Sequence, residues 1–303
     1  MTFGPRFVSR LMAATLLPLA ASSAHAAGIG QPEPWQINLQ GAVTPIAEQI
    51  HSFNTFINII IAVIVLLVLA LLLICIVRFS EKANPVPSKT THNTLIEVVW
   101  TIAPVAILIV IAAPSFKLLY AQYDMPKADL TLKVTGVQWF WKVEYQTAAA
   151  PAEGAAPPPV AEGESAPLEP DFEFEARLLP KDQVGDQPWL LAVDNVAVVP
   201  VGKVVRVQVT AADVIHAFAV PSFGVKVDAV PGRLNETWFR ADREGIYYGQ
   251  CSELCGKDHA FMPIAFRVVS EAEYQAWLTG AREQFASNPA PRNMVADAAV
   301  AGN

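Results

Sequence analysis

Between Cys251 and Met262 the chain reads C-S-E-L-C-G-K-D-H-A-F-M, which gathers two cysteines, a histidine and a methionine into one short segment. A second histidine, His216, lies upstream of it. Two thiols, two imidazoles and a thioether make a predominantly soft donor set, and soft donors favour copper. A mononuclear blue-copper site takes two histidines, one cysteine and a weak axial methionine, which leaves one thiol over. The surplus is accounted for if Cys251 and Cys255 both bridge two coppers, each metal taking one of His216 and His259. Met262 then serves as a weak axial ligand on one copper. A backbone carbonyl between the cysteines, that of Glu253, serves the other. Spreading one electron's charge over two metals changes each bond little on reduction, and a rigid scaffold keeps the ligands in place in both redox states. The chemistry implied is electron transfer.

Three other readings of the same residues stand beside this one, the first being a mononuclear copper carrier built on the Cys-x3-Cys and a histidine. Cys251 and Cys255 could close a disulfide in an oxidising compartment, with His259 a surface residue. The two cysteines and two histidines could also hold tetrahedral zinc, for which methionine is a poor ligand. With only three cysteines in 303 residues, a disulfide-dense scaffold is excluded. The third, Cys75, falls in an apolar run and is read as a packing or lipid-facing residue.

The elements that position these residues change character along the chain. Residues 59–77 and 98–116 are uncharged, apolar stretches closed by Arg78 and Lys117. Each is close to the ~20 residues needed to cross a bilayer. The loop between them carries Arg78, Lys82 and Lys89 against Glu81 alone, which places it on the cytoplasmic side. The N-terminus has Arg6 and Arg10, an apolar stretch over 11–21 and Ala24-His25-Ala26, the pattern of a cleaved secretory leader. Both cues put everything after the second helix outside the membrane. From there the period changes to two: 130–134, 172–176, 204–209 and 264–268 read as strands, punctuated by Gly202, Gly224 and Pro231-Gly232. Short strands with frequent turns predict an all-β sandwich or barrel. Residues 147–170 are rich in Ala, Pro, Gly and Glu and read as a flexible insertion in a hairpin; 270–285 reads as a closing helix.

The boundaries expected are therefore a signal peptide over 1–26, an external N-terminal segment over 27–54, membrane helices over 55–78 and 96–120 joined by a cytoplasmic loop over 79–95, a β-domain over 121–285 and a disordered tail over 286–303. Formal charge is −7 overall. From residue 121 onward there are 24 acidic against 15 basic side chains, so the external domain suits a basic partner, and no nucleic-acid partner is expected. No Cys-x-x-Cys-His is present to attach a c-type haem.

The chain resembles cytochrome c oxidase subunit II. Three segments carry the resemblance: Gln138-Trp139-Phe140-Trp141; His216-Ala217-Phe218-Ala219-Val220-Pro221-Ser222 with Pro231-Gly232-Arg233 beyond it; and Tyr247-Tyr248-Gly249-Gln250-Cys251 running on to Met262. It covers the membrane hairpin and the whole external domain. It implies a two-helix transmembrane hairpin followed by a cupredoxin-like Greek-key barrel that holds the dinuclear CuA centre. The ligands implied are His216, Cys251, the Glu253 carbonyl, Cys255, His259 and Met262, with the Glu253 carboxylate helping to bind magnesium at the boundary with subunit I. Partners implied are oxidase subunits I and III, cytochrome c and membrane lipid, in a bacterial inner membrane with both termini periplasmic. Trp139 matches the residue through which electrons enter, and Asp194 and Asp213 match acidic positions facing cytochrome c. Glu97 matches the mouth of a proton path into subunit I, with His92 nearby. Phe140 stands where tyrosine is commoner. Trp139 could instead pack a core, the aspartates could cap turns, and Glu97 could be a helix-start residue favoured by the macrodipole. A quinol-oxidising relative would lack both cysteines and both histidines, which are present here.

Overall fold

The computed structural model describes residues 29–148 and 168–286. The leader expected over 1–26, most of the insertion expected over 147–170 and the tail beyond 286 lie outside the described residues.

Two long helices come first: α1 (Pro45–Arg78) and α2 (Thr94–Tyr123). Both are long and apolar enough to cross a membrane, and their most hydrophobic windows are not buried within the chain. α1 starts ten residues before the boundary expected at 55, because its start signals lie there. Thr44 is the N-cap, its hydroxyl accepting from Ala47 N at 3.0 Å, and Pro45 sits in the first turn. At 1.5 Å per residue, a 34-residue helix spans about 50 Å, well beyond the ~30 Å hydrocarbon core. The excess first turn is used for docking. Ile46 and Ala47 are buried against the β-domain, and the Thr44 hydroxyl donates to Phe223 O at 2.8 Å. Val43 N donates to Ser222 O at 3.1 Å. Gly224, at φ +68°, lets the chain approach this turn so closely that a Cβ there would lie 2.9 Å from Ala47 Cα.

Among the described residues, the β-domain is built from ten strands in two five-stranded sheets. The first has the order β3 (Leu168–Ala176), β2 (Phe140–Ala148), β1 (Leu130–Val137), β5 (Val205–Ala211), β8 (Asn235–Phe239). The second has the order β4 (Ala197–Pro200), β10 (Pro263–Val269), β9 (Gly245–Cys251), β6 (His216–Val220), β7 (Val225–Ala229). Strand order differs from chain order in both sheets, as a Greek-key arrangement requires. β1 with β5, and β4 with β10, pair in parallel. Those parallel pairs arise where a connection crosses to the other sheet and returns, so they do not show in local alternation. β2 and β3 form the hairpin that carries the insertion, their ladder running out to Ala148 opposite Leu168.

Alternation in β1 and β2 sends Leu132, Val134, Trp141, Val143 and Tyr145 into the space between the sheets. Phe218, Phe223, Phe239 and Phe266 meet them there. Tyr145 ties the layers: its hydroxyl donates to Val198 O at 2.6 Å and accepts from Val198 N at 2.8 Å. α3 (Glu271–Ala286) closes the domain, with Trp277 against Tyr145 and Arg282 paired with Asp171 on β3.

Candidate metal centre

The six positions implied as ligands come from strand ends and one loop. His216 opens β6 and Cys251 closes β9, two antiparallel neighbours with Phe218 opposite Cys251. Met262 immediately precedes β10, and its carbonyl accepts from Cys251 N at 3.0 Å. Gly249 permits the close approach of β9 to β6, since a Cβ there would lie 2.2 Å from Ala219 O. The chain leaves the sheet after Cys251 and returns at β10. The loop between carries Glu253, Cys255 and, in a short 3-10 turn, His259.

The donor atoms form a compact cluster. His216 Nδ1 lies 3.8 Å from Cys251 Sγ, the two sulfurs are 3.8 Å apart, and Cys255 Sγ lies 3.6 Å from His259 Nδ1. The Glu253 carbonyl oxygen is 3.3 Å from Cys251 Sγ, while its carboxylate is on the exposed side of the loop. Both cysteines are free thiols, so the disulfide reading does not describe this structure. His216, Cys251, Cys255 and Met262 are all buried in the core. Ligand atoms of His216, Cys251 and Cys255 lie within 4.8 Å of one another, a spacing that one or two metal ions would fit. A buried set of thiols, imidazoles and a thioether suits a soft, redox-active metal better than magnesium or calcium.

Electrostatics prepare the pair for a cation. Burial alone would push both thiols up. For Cys251, hydrogen bonding from His216 and neighbouring backbone overrides it and brings the thiol down to about 6. Burial, followed by the neighbouring Cys251 thiolate, pushes Cys255 up to about 12. The pair therefore gives up its first proton easily and its second with difficulty, and a metal bridging both sulfurs must displace that second proton.

The immediate surroundings hold these groups in place. Asp213 Oδ1 is 2.9 Å from His216 Nε2, leaving Nδ1 to face the sulfurs. A carboxylate on the far nitrogen of a ligating imidazole fixes its tautomer and orientation. Burial of the Asp213 carboxyl is outweighed by hydrogen bonds from His216 and two backbone amides, so it stays below the ordinary carboxylate range. Trp141, fully buried, donates from Nε1 to Met262 O at 3.4 Å and meets the His216 ring edge-on at 6.0 Å between centroids. Trp139 is half-buried, its Nε1 donating to Cys255 O at 3.3 Å, with Lys257 Nζ 5.1 Å from its ring centre. In the Trp-x-Trp pair Trp141 fills the core, while Trp139 packs partly against it and stands at the loop that bears the cysteines.

Gly136, on β1, has no room for a side chain: a Cβ would lie 2.7 Å from His216 Cδ2. Because Asp213 holds the other side of that ring, Gly136→Ala is expected to displace Nδ1. Copper affinity should fall by ~10–100-fold with the fold retained, as for lost partners of metal ligands. A competition titration against a copper chelator checks this; unchanged affinity would show that the ring can move freely.

The remaining candidates sit elsewhere. Asp194 Oδ1 accepts from Arg177 N and Asn195 N, both at 2.7 Å, the contacts of a turn-capping residue on the surface. Glu97 lies in the first turn of α2 and its Oε1 accepts from Asn93 N at 3.2 Å, while Asn93 Oδ1 accepts from Ile96 N. This reciprocal cap closes the helix start. His92 is exposed just before it, with Nδ1 3.4 Å from Thr91 Oγ1. Neither Glu97 nor His92 approaches the cysteine site, which lies beyond the other end of α2. Gln138 and Gly136 are contacts that sequence reasoning did not single out as functional; their adjacency to Trp139 was the available signal.

Residues 130–269 match the family described as Cytochrome C oxidase subunit II, periplasmic domain. Residues 32–118 match Cytochrome C oxidase subunit II, transmembrane domain. The cytochrome c oxidase subunit 2 of Cereibacter sphaeroides is 48% identical over 273 residues, covering 89% of each chain. The probable cytochrome c oxidase subunit 2 of Rickettsia bellii (strain RML369-C) is 43% identical over 249 residues, 82% of this chain and 85% of that one. A crystal structure of the periplasmic domain of subunit II of cytochrome oxidase from Bradyrhizobium japonicum is 55% identical and covers 53% of this chain and 99% of that one, with a TM-score of 0.43.

Proposed function

Because the chain belongs to the cytochrome c oxidase subunit II family, we propose that it takes electrons from cytochrome c at a dinuclear copper centre and passes them to a haem in subunit I. Oxygen reduction and most proton translocation then take place in that partner. The observation that carries this reading is the cluster of His216 Nδ1, Cys251 Sγ, Cys255 Sγ and His259 Nδ1, with the sulfurs 3.8 Å apart and an imidazole nitrogen 3.6–3.8 Å from each. Two thiols with one imidazole near each are the donors that two metals sharing both sulfurs would need. Met262 and the Glu253 carbonyl would be the weaker ligands. Copper, when bound, supplies one-electron chemistry with little change in bond length.

The protein's own residues do the rest. Trp139 offers its indole as the contact for the donor haem, and its N–H reaches the Cys255 carbonyl, so a single hydrogen bond joins the ring to the backbone of a ligand. Asp213 orients His216, with both its oxygens engaged by neighbouring groups. Any attraction it adds for cytochrome c is long-range, together with Asp194 and the acidic domain as a whole, and acts mainly on the association rate. The Glu253 carboxylate, exposed on the loop, would share magnesium with subunit I. At the other end of the hairpin, Glu97 and His92 are the titratable groups available to a proton path, Glu97 also serving as a helix cap.

The chain is a membrane protein with two spanning helices. The orientation proposed is a bacterial inner membrane, with the 79–95 loop cytoplasmic and both termini periplasmic, next to subunits I and III and lipid. The division proposed is helices over 55–78 and 96–120 within α1 and α2, and a copper domain over 121–285.

Copper analysis and electron paramagnetic resonance on the detergent-solubilised full chain test the reading. Two coppers per chain and a seven-line mixed-valence pattern are expected. One copper with a four-line signal would replace it by a mononuclear carrier.

A further inference from the structure

Resting on the dinuclear copper reading, we infer that Gln138 is a positioning residue: it clips the cysteine loop to the histidine loop and so holds the two halves of the ligand set in register. β1 and β2 are joined by a two-residue turn, Gln138-Trp139, with Val137 opposite Phe140. Gln138 makes two short hydrogen bonds in different directions. Its backbone N–H donates to Asp213 Oδ2 at 2.7 Å, and its side-chain Nε2 donates to Cys255 O at 2.7 Å. Asp213 in turn holds His216 through its other oxygen at 2.9 Å. One residue therefore connects the carboxylate that orients a histidine to the peptide that bears a cysteine.

The cysteine loop has little else to fix it. The β6–β9 ladder is two residue pairs long, and it ends at Cys251. Ser252 N still reaches Ala217 O at 2.9 Å. Among the described residues, hydrogen bonds to residues 253–258 from outside the 251–262 segment come from Gln138 and Trp139 alone, both on the Cys255 carbonyl. Of these the Gln138 bond is the shorter by 0.6 Å. Gly256 shows how tightly the turn is seated: its φ is +126°, and a Cβ there would lie 3.0 Å from Gln138 Nε2 and 3.1 Å from the Trp139 ring. The orientation of the amide is settled by its partner, since a carbonyl can receive only the NH₂ end.

The consequence is specific. Without this clip the loop lets Cys255 drift from Cys251, which the β6–β9 ladder keeps beside His216, so copper is held less firmly. The Cys255 peptide also loses a donor that draws electron density from the neighbouring thiolate, which favours the oxidised metal and lowers its reduction potential.

The test uses the detergent-solubilised full chain carrying Gln138→Leu, which removes the side-chain donor and keeps the backbone N–H to Asp213. Gln138→Glu is the second variant, placing an acceptor against the carbonyl at the same length. Copper release to a chelator, midpoint potential and thermal unfolding of the metal-free chain are compared with the parent. Release ~10-fold faster or more, with a lower potential and unfolding unchanged, is expected for both variants. Parent-like release and potential in both would overturn the inference. A parent chain that itself fails to hold two coppers would overturn the dinuclear reading instead, so the two failures are distinguishable.

Discussion

Replacing Cys255 with serine is expected to abolish the seven-line paramagnetic signal and to cut electron uptake from cytochrome c by more than about 100-fold. The loss should exceed the ~10–100-fold typical of removing a hydrogen-bond partner from a metal ligand, because here a ligand itself is changed. Cys255 Sγ lies 3.8 Å from Cys251 Sγ and 3.6 Å from His259 Nδ1, at the centre of the donor cluster. A serine oxygen is hard, sits on a shorter bond and does not ionise near neutral pH. Copper prefers thiolate, and two metals cannot share a bridge that one side chain no longer offers. The small, buried substitution leaves the sheets untouched, so the metal-free variant should unfold close to the parent. Copper per chain, the paramagnetic spectrum and stopped-flow reduction by cytochrome c read the outcome. Two coppers and seven lines in Cys255→Ser would mean that the bridge is made by other groups.

Phe266→Ala is expected to destabilise the β-domain by about 3–5 kcal/mol, the range for a buried phenylalanine truncated to alanine. Phe266 has no exposed surface. Its ring meets Phe218 at 6.0 Å, Phe223 at 5.7 Å and Phe239 at 5.6 Å between centroids. These rings belong to β10, β6, the turn after β6 and β8, so the cavity would open at the junction of both sheets. Phe218 lies opposite Cys251 in the β6–β9 ladder, which brings the damage to the metal ligands as well as to the core. Denaturant unfolding of the full chain in detergent, followed by near-ultraviolet circular dichroism, measures the loss. A change below about 1 kcal/mol would mean that the neighbouring rings collapse into the space. The effect should separate from that of Gly136→Ala, which alters copper affinity through one ring contact and leaves the aromatic core whole.

Two kinds of information about this protein were local enough to be present in the sequence. The membrane hairpin was one, since crossing a bilayer requires a continuous apolar run whatever the rest of the chain does, and 59–77 and 98–116 supplied two. The ligand set was the other, because Cys251, Cys255, His259 and Met262 are close in the chain and their donor types specify soft-metal chemistry by themselves. What lay beyond local pattern was settled by long-range pairing. α1 has a local start signal in Thr44-Pro45, but the docking of its first turn on the Phe223–Gly224 turn is a contact between residues more than 170 positions apart. The parallel pairings of β1 with β5 and β4 with β10 depend on chain crossovers between sheets, which alternation within a strand cannot report. In sequence Asp213 reads as an acid facing cytochrome c or as a turn cap; only the fold places it between His216 Nε2 and the Gln138 amide and makes it an orienting group. Likewise, Trp139 and Trp141 differ by two positions and point to the same side of a strand by count. The turn at Gln138-Trp139 removes Trp139 from that ladder and seats it on Cys255, while Trp141 stays in register and fills the core. Donor types are a property of residues, but the distances between them are set by which strands pair. That pairing depends on burying the whole apolar face of each sheet at once, a quantity no short segment contains.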